Sequence, residues 1–228
     1  NLFVDGIDSE SWKALNESID KPLLNRALRG RYPPGSTYKP FMAMAALETG
    51  KRSANTIIND AGSWSFGGHE FRSHGDHGLG PVDMYTSIVK SSNVYYYSLA
   101  NELGVDAMHD FMKPLGLGQI TGIDIQGEVR GLLPSQQWKR DYYKKPEQQR
   151  WYAGETISLG IGQGYNSFTM LQMAQATATL ANHGIKRKPQ LVIATQDPVS
   201  RVKRPVPADP PQDLHFKPEN VAVVVKAM

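Results

Sequence analysis

The sequence has no cysteine, which excludes both a disulfide framework and a thiolate metal cage. It also lacks any run of roughly 18 to 20 apolar residues, the length that a membrane-spanning helix needs. Neither charge dominates, since 25 Lys and Arg residues stand against 22 Asp and Glu residues and give a formal net charge of +3. Nucleic acid is therefore not an expected partner.

What is present is the composition of an ordinary globular protein. The chain has 228 residues, of which 40% are hydrophobic and 21% are charged, and this is enough for one sizeable core. No internal repeat and no linker divides it. We therefore expect a single domain over residues 1–228.

Apolar residues recur at helical spacing in three segments, residues 36–48, 82–103 and 169–182. The first follows a rigid Pro-Pro-Gly turn, and Gly50 ends it. The second is interrupted by the sequence Ser-Ser-Asn at residues 91–93, which predicts a break between two helices. The third opens with Thr and Gln at capping-box spacing.

The other segments have weaker patterns. Residues 51–80 are rich in Gly, Ser, His and Asp, which predicts a looped excursion with one hairpin. Residues 189–194 have the pattern of a strand, and the proline-rich residues 198–218 are predicted to form a loop. A last helix is predicted to begin at Pro218 and to continue to Met228.

A serine and a lysine, Ser36 and Lys39, lie three residues apart at the start of the first predicted helix. This spacing places both side chains on one face, where the amine can take the hydroxyl proton. A lysine buried among apolar neighbours can stay neutral and act as a base. The pair would recur by chance in most chains, but here the sequence Tyr-Pro-Pro-Gly delivers Ser36 directly onto the first turn.

A second polar element, Ser91-Ser92-Asn93, lies about fifty residues further along the chain. Serine β-lactamases and penicillin-binding proteins combine Ser-x-x-Lys with such a box and with a Lys-Thr-Gly box. Ser91 could relay a proton between Lys39 and a leaving amine, and Asn93 could orient Lys39 and a substrate amide. The alternative is that the three residues form a polar helix cap.

Five stretches together resemble the penicillin-binding protein 2 family, whose members are class B peptidoglycan D,D-transpeptidases of rod elongation. These stretches are residues 25–28, 32–40, 91–93, 160–165 and 172–174. The resemblance implies that Ser36 is the acylated nucleophile, Lys39 its general base, and Ser91 with Asn93 the second box. The implied reaction attacks the penultimate D-Ala carbonyl of a stem peptide, releases the terminal D-Ala and forms a 4-3 cross-link. β-Lactams would imitate the D-Ala-D-Ala end and block Ser36.

The same resemblance implies a fold and a setting. The fold would be α/β (α+β), the β-lactamase and penicillin-binding transpeptidase fold, with an antiparallel sheet flanked by helices beside an all-helical part. No cofactor is implied. The partners would be stem peptides, β-lactam antibiotics, and the membrane glycosyltransferase and scaffold proteins of an elongation complex. The location would be the periplasmic face of the bacterial inner membrane, with an anchor outside this chain.

One family motif is missing, because neither Lys-Thr-Gly nor Lys-Ser-Gly occurs anywhere in the sequence. The third box normally supplies an oxyanion amide and a hydroxyl that binds the substrate carboxylate. We therefore expect the domain to be incomplete at both ends, and residues 1–228 alone to turn over weakly or not at all.

A metal site is a weaker hypothesis. The resemblance implies a possible zinc site, because some members of the family bind zinc through Asp, His and Cys side chains. This chain has five candidate ligands in the same region, Asp60, His69, His74, Asp76 and His77. Their spacing is irregular, and Ser92 stands where the family's Cys would align. We predict no metal.

Three other functions compete with a transpeptidase. A serine β-lactamase is disfavoured because no Glu-x-x-Leu-Asn sequence follows Asn93. A D,D-carboxypeptidase would differ only in using water instead of an amine, so the sequence leaves it open. A non-catalytic module that binds wall peptides or β-lactams fits the missing box, whereas the two intact boxes favour an enzyme.

Overall fold

The computed structural model describes residues 2–73 and 77–228. Its α-helices are α1 Ser9–Glu17, α2 Arg26–Arg29, α3 Lys39–Glu48, α4 Met84–Val89, α5 Asn93–Leu103, α6 Val105–Met112, α7 Gln136–Tyr142, α8 Pro146–Gln149, α9 Ala153–Leu159, α10 Met170–Ala181 and α11 Pro218–Ala227. A 3₁₀ helix, Gly35–Tyr38, leads directly into α3. The strands are β1 Arg31–Tyr32, β2 Ile58–Asp60, β3 Ser63–Phe66, β4 His69–Arg72, β5 Gly80–Val82, β6 Phe168–Thr169, β7 Ile185–Lys186, β8 Ala194–Gln196, β9 Lys203–Pro205 and β10 Gln212–Asp213.

These strands pair only as two-stranded antiparallel ladders within the described ranges. The pairs are β1 with β6, β2 with β5, β3 with β4, β7 with β10, and β8 with β9. Helices supply most of the core, and no described helix combines the length and the apolar character that crossing a bilayer requires.

Helix α3 lies at the centre of the core. Its residues from Lys39 to Leu47 are all buried, and it packs against α4, α5, α6 and α11. A helix that is apolar on every side is stable only when it is enclosed in this way. Lys39, in the first turn, is consequently carried into the protein interior.

Five of the predicted helices are confirmed. The segment 36–48 begins as the 3₁₀ helix and continues as α3, and the segment 82–103 divides at residues 90–92 into α4 and α5. The capping box of α10 forms as predicted, because Thr169 Oγ1 accepts from the Gln172 amide at 3.2 Å and Gln172 Oε1 accepts from the Thr169 amide at 3.3 Å. Helix α11 begins at Pro218.

The strand predicted at residues 189–194 is wrong, since only Ala194 belongs to a strand. The amides of Leu191 and Val192 donate instead to the Asp124 carboxylate, at 2.7 and 2.8 Å. These two hydrogen bonds hold the pKa of Asp124 below its ordinary value. A carboxylate far away in the sequence therefore accepts the backbone hydrogen bonds that these amides would have donated in a β-ladder.

One further prediction needs correction. The segment 198–218 is not loop throughout, because β9 and β10 lie within it. The first 35 residues also hold two helices that apolar spacing did not reveal. Asp8 caps the first by accepting from the Ser11 amide at 2.8 Å, and Asn25 caps the second by accepting from the Leu28 amide at 3.3 Å.

Gly154 within α9 and Gly160 at its C-cap provide a test of the packing between α5 and α9. A Cβ at Gly160 would lie 2.3 Å from the Tyr96 carbonyl oxygen and 2.7 Å from Ala100 Cβ, whereas a Cβ at Gly154 would meet no atom within 4 Å. We expect Gly160→Ala to lower the free energy of unfolding by about 1–3 kcal/mol, because backbone must shift. Gly154→Ala should leave it unchanged or raise it by up to about 1 kcal/mol.

Urea denaturation followed by circular dichroism measures both values on the same scale. Equal unfolding free energies for the two variants would contradict the close approach of α5 and α9.

Candidate active site

The ammonium group of Lys39 is the centre of a buried polar cluster. Its Nζ donates to the Ser91 carbonyl oxygen at 2.7 Å, to Ser91 Oγ at 2.9 Å and to Asn93 Oδ1 at 2.7 Å. The ring of Tyr96 lies 5.6 Å from the same nitrogen. Three acceptors match the three protons of an ammonium, so the cluster fixes where the amine points.

Ser36 lies on the open side of this cluster. It is exposed on the 3₁₀ helix, whereas Lys39 is buried one turn behind it. Ser91 Oγ donates to Ser36 Oγ at 3.0 Å. Among the described residues no hydrogen bond joins Lys39 Nζ directly to Ser36 Oγ, so the connection between them runs through the Ser91 hydroxyl.

The turn between α4 and α5 presents Ser91 and Asn93 to the same nitrogen. Ser91 has a φ of 53°, in the left-handed region that non-glycine residues rarely adopt. Ser92, the middle residue, caps α5 by accepting from the Tyr95 amide at 3.2 Å. The two interpretations of this motif therefore apply to different residues: Ser92 is the helix cap, while its neighbours bind Lys39.

Burial changes the protonation of Lys39. It lowers the pKa of the amine from 10.5 to about 8, and the negative charge of Asp60 opposes this shift. With a pKa of about 8, roughly a tenth of the amine is neutral at pH 7. A neutral amine has a lone pair and can act as a base.

A glycine-rich segment, residues 160–165, lies beside Ser36. The Gly35 amide donates to the Gly162 carbonyl oxygen at 3.0 Å, and a Cβ on Gly162 would lie 2.3 Å from the Gly35 carbonyl oxygen. Gly162 also has a φ of 71°. Only glycine fits both the conformation and the space, so this segment sets the position of the turn that carries Ser36.

The residues considered for a metal site do not form one within the described parts of the chain. Asp60 is buried, and its carboxylate accepts from Ser92 Oγ at 2.5 Å and from the Gly62 amide at 2.9 Å. The His69 ring lies edge-on to Phe71, with centroids 4.7 Å apart. His74 and Asp76 lie outside the described residues, and no group of three His, Cys, Asp or Glu side chains in the remainder could hold an ion.

The chemistry of these residues also does not suit zinc. At the position where a Cys thiolate was expected as a ligand, this chain has the Ser92 hydroxyl, which already donates to Asp60. The prediction of no metal stays a prediction, and no catalytic step is assigned to one.

Sequence reasoning missed two residues that support the site. Asp60 was considered only as a metal ligand, although it contacts Ser92. Arg52 is buried and donates to Glu102 at 2.6 and 2.9 Å and to the Tyr95 carbonyl oxygen at 3.0 Å, which ties the start of the 51–80 excursion to α5. No periodic pattern marks either residue, and their partners are 32 to 50 positions away.

Comparison with known proteins gives consistent matches. Residues 6–228 match the family model of the penicillin binding protein transpeptidase domain. The peptidoglycan D,D-transpeptidase MrdA of Escherichia coli K12 is 39% identical over 218 residues, which cover 94% of this chain and 34% of the relative.

Two solved structures are similar to this chain over nearly all of its length. PBP2 of Pseudomonas aeruginosa, in complex with WCK 5153, is 38% identical with a TM-score of 0.85, over 97% of this chain and 47% of that one. PBP2 of Helicobacter pylori, in its complex with MreC, is 29% identical with a TM-score of 0.81, over 100% of this chain and 39% of that one.

The predicted fold class is confirmed by these structures. The chain spans 34% of the length of the curated relative and less than half of each solved one. Both the family model and the relatives cover almost the whole chain, including the segments that carry Ser36, Lys39, Ser91 and Asn93. This chain therefore belongs to the penicillin-binding protein transpeptidase family.

Proposed function

We propose that this chain is part of a serine D,D-transpeptidase that forms 4-3 cross-links between peptidoglycan stem peptides through an acyl-enzyme at Ser36. The observation that carries the proposal is the hydrogen-bonded series Ser36 Oγ, Ser91 Oγ, Lys39 Nζ and Asn93 Oδ1. It joins an exposed hydroxyl to a buried amine of lowered pKa. The name of the E. coli relative supports the choice of substrate.

In the proposed acylation, Lys39 begins as a neutral amine. Ser36 Oγ attacks the penultimate D-Ala carbonyl carbon while its proton passes to Ser91 Oγ and the Ser91 proton passes to Lys39 Nζ. Amides in the first helical turn can stabilise the oxyanion that forms. When the C–N bond breaks, Lys39 returns its proton through Ser91 to the amine of the departing D-Ala.

The second half repeats the relay with an amine in place of D-Ala. The incoming amine attacks the carbonyl carbon of the Ser36 ester and loses a proton to Lys39 through Ser91. The bond between this carbon and Ser36 Oγ then breaks, and Lys39 returns the proton through Ser91 to Ser36 Oγ, which restores the free hydroxyl. Asn93 holds Lys39 through Oδ1, while its Nδ2 has no acceptor within the described ranges and can bind the substrate amide. A β-lactam would acylate Ser36 by the same steps.

The proposal includes the setting of the enzyme. Residues 1–228 would belong to one transpeptidase domain, at the periplasmic face of a bacterial inner membrane. The partners would be a membrane glycosyltransferase and scaffold proteins of the elongation complex. The complex of the H. pylori relative with MreC supports a scaffold partner.

The function is tested with the naturally expressed gene product, a synthetic stem pentapeptide ending in D-Ala-D-Ala, and a D-amino acid as acceptor amine. Mass spectrometry should detect both released D-Ala and a peptide that carries the acceptor amine. Release of D-Ala with only the hydrolysed tetrapeptide would identify a carboxypeptidase. Peptide binding without release would identify a non-catalytic module.

The pH dependence of acylation provides a further prediction. Because the relay needs the neutral amine of Lys39, the acylation rate should rise with pH and level off above the Lys39 pKa of about 8. Below about pH 7 the rate should fall roughly tenfold for each pH unit.

The second-order rate constant for a fluorescent penicillin, measured between about pH 6 and about pH 9.5, gives this profile. A rate that stays constant over this range would contradict a role for neutral Lys39.

A further inference from the structure

We infer that Asp60 is a positioning residue of the acyl-transfer site, which holds the turn of residues 91–93 through Ser92 so that Ser91 and Asn93 both bind Lys39. The inference rests on the proposed function, since it assigns a role to a residue behind the same site. Asp60 touches none of the groups that would react.

Both oxygens of the Asp60 carboxylate are used. Asp60 ends β2 and is opposite Gly80 of β5, and only 1% of its surface is exposed. Oδ2 accepts from Ser92 Oγ at 2.5 Å, and Oδ1 accepts from the Gly62 amide at 2.9 Å. A hydroxyl that donates to a carboxylate at this distance forms a hydrogen bond of the strong, charge-assisted kind.

Ser92 transmits this anchoring to the site. It is 1% exposed, and its hydroxyl donates to Asp60 while accepting from the Tyr95 amide. Its two neighbours in the chain, Ser91 and Asn93, supply all three acceptors of Lys39 Nζ. A change in the Ser92 position would therefore move the Ser91 carbonyl and the Asn93 amide together.

The turn needs such an anchor because its backbone is strained. A non-glycine residue at a φ of 53° is uncommon and persists only where surrounding contacts impose it. The Ser92 amide also donates to the Ser87 carbonyl oxygen at 3.0 Å, which fixes the α4 side of the turn. Asp60 supplies the corresponding contact from outside the two helices.

The excursion that carries Asp60 is itself attached to α5. Tyr97 Oη donates to the Arg72 carbonyl oxygen at 3.2 Å, and the rings of Tyr97 and Phe71 lie 5.5 Å apart. Strand β2 itself pairs with β5 and packs against α5, so Asp60 meets the turn from an element that is held on both sides.

A helix cap without a positioning role makes a different prediction. If Ser92 only caps α5, its removal lowers stability but leaves each folded molecule as reactive as before. If Asp60 positions the turn through Ser92, its removal also changes the surroundings of Lys39 Nζ and the rate of acylation per folded molecule.

The test uses Ser92→Ala, Asp60→Asn, Asp60→Ala and the double variant Asp60→Ala/Ser92→Ala in the naturally expressed gene product. The ¹³Cε resonance of Lys39 is followed through a pH titration, because its two limiting shifts report the surroundings of Nζ apart from the change in pKa that loss of the Asp60 charge causes. The β-lactam acylation rate is measured at a pH where Lys39 is neutral and is normalised to the folded fraction. We expect Ser92→Ala and Asp60→Ala each to shift the resonance and to slow acylation about 10- to 100-fold. The double variant should be no slower than the slower single one, because both remove the same contact.

Asp60→Asn keeps an acceptor for Ser92 and should recover part of both effects. Asp83→Ala is the matched control, because Asp83 caps α4 by accepting from the Thr86 amide at 2.7 Å and has no hydrogen bond to Lys39 within the described ranges. This control should lower stability without shifting the Lys39 resonance.

An unchanged Lys39 resonance in both Ser92→Ala and Asp60→Ala would overturn the inference. Normal acylation per folded molecule in these two variants would also overturn it, where the wild-type protein acylates. A wild-type protein that never acylates would instead refute the proposed function. The resonance would still decide the positioning role in that case, because it does not depend on turnover.

Discussion

Replacing Ser36 by alanine should abolish covalent capture of β-lactams and release of D-Ala. Loss of a catalytic serine lowers turnover by roughly 10⁶-fold in a well-studied hydrolase, and a similar fall would reach background here. The physical reason is that Ser36 Oγ is the exposed end of the relay, 3.0 Å from Ser91 Oγ.

Intact-mass spectrometry of the naturally expressed gene product, with and without a β-lactam, measures this result. The wild-type protein should gain one adduct, and Ser36→Ala should gain none while keeping its circular dichroism spectrum. Ser65→Ala, at an exposed serine of β3, is the matched control and should be labelled normally. An adduct that persists in Ser36→Ala would place the nucleophile elsewhere.

Replacing Lys39 by methionine should slow acylation by about 10²- to 10⁴-fold, the usual contribution of a general base. Methionine fills much of the same space in the enclosed first turn of α3, so the helix keeps its packing. It cannot accept a proton, and Ser91 and Asn93 lose the donor that both now share. The remaining activity should no longer rise with pH through about 8, where the Lys39 pKa lies.

The Lys39→Met variant is compared with Lys51→Met, which removes an exposed lysine three residues after α3. The acylation rate of Lys51→Met should equal that of the wild type. Lys39→Arg should be as slow as Lys39→Met, because a guanidinium does not lose its proton near neutral pH. A variant without Lys39 that keeps both the rate and the pH dependence would show that another group is the base.

Local patterns in the sequence predicted a large part of the helical structure and the residues of the candidate site. The pairing of Ser36 with Lys39 is set within one helical turn. The cap of α10 involves four consecutive residues, and the break between α4 and α5 involves three. Such features depend on contacts between close neighbours in the chain, so apolar spacing and capping preferences are sufficient to find them. Helices α1 and α2 were missed because α1 has no buried residue and α2 has only Leu28, so neither shows the apolar spacing of an enclosed helix.

The tertiary structure decided what lies between the motifs. The sequence predicted a direct contact between Lys39 and Ser36, whereas the connection through Ser91 depends on how α3 packs against the turn before α5. The predicted strand at residues 189–194 failed because Asp124, more than sixty positions away, takes its amides. The contact between Asp60 and Ser92 likewise depends on the path of the 51–80 excursion.

The sequence by itself thus determined which residues can carry the chemistry, because helical periodicity and caps act over a few positions. Only the tertiary structure decided which of them share a hydrogen bond and which distant residue supports them. Those contacts join segments 32 to 68 positions apart, and their partners are chosen by the packing of the whole core.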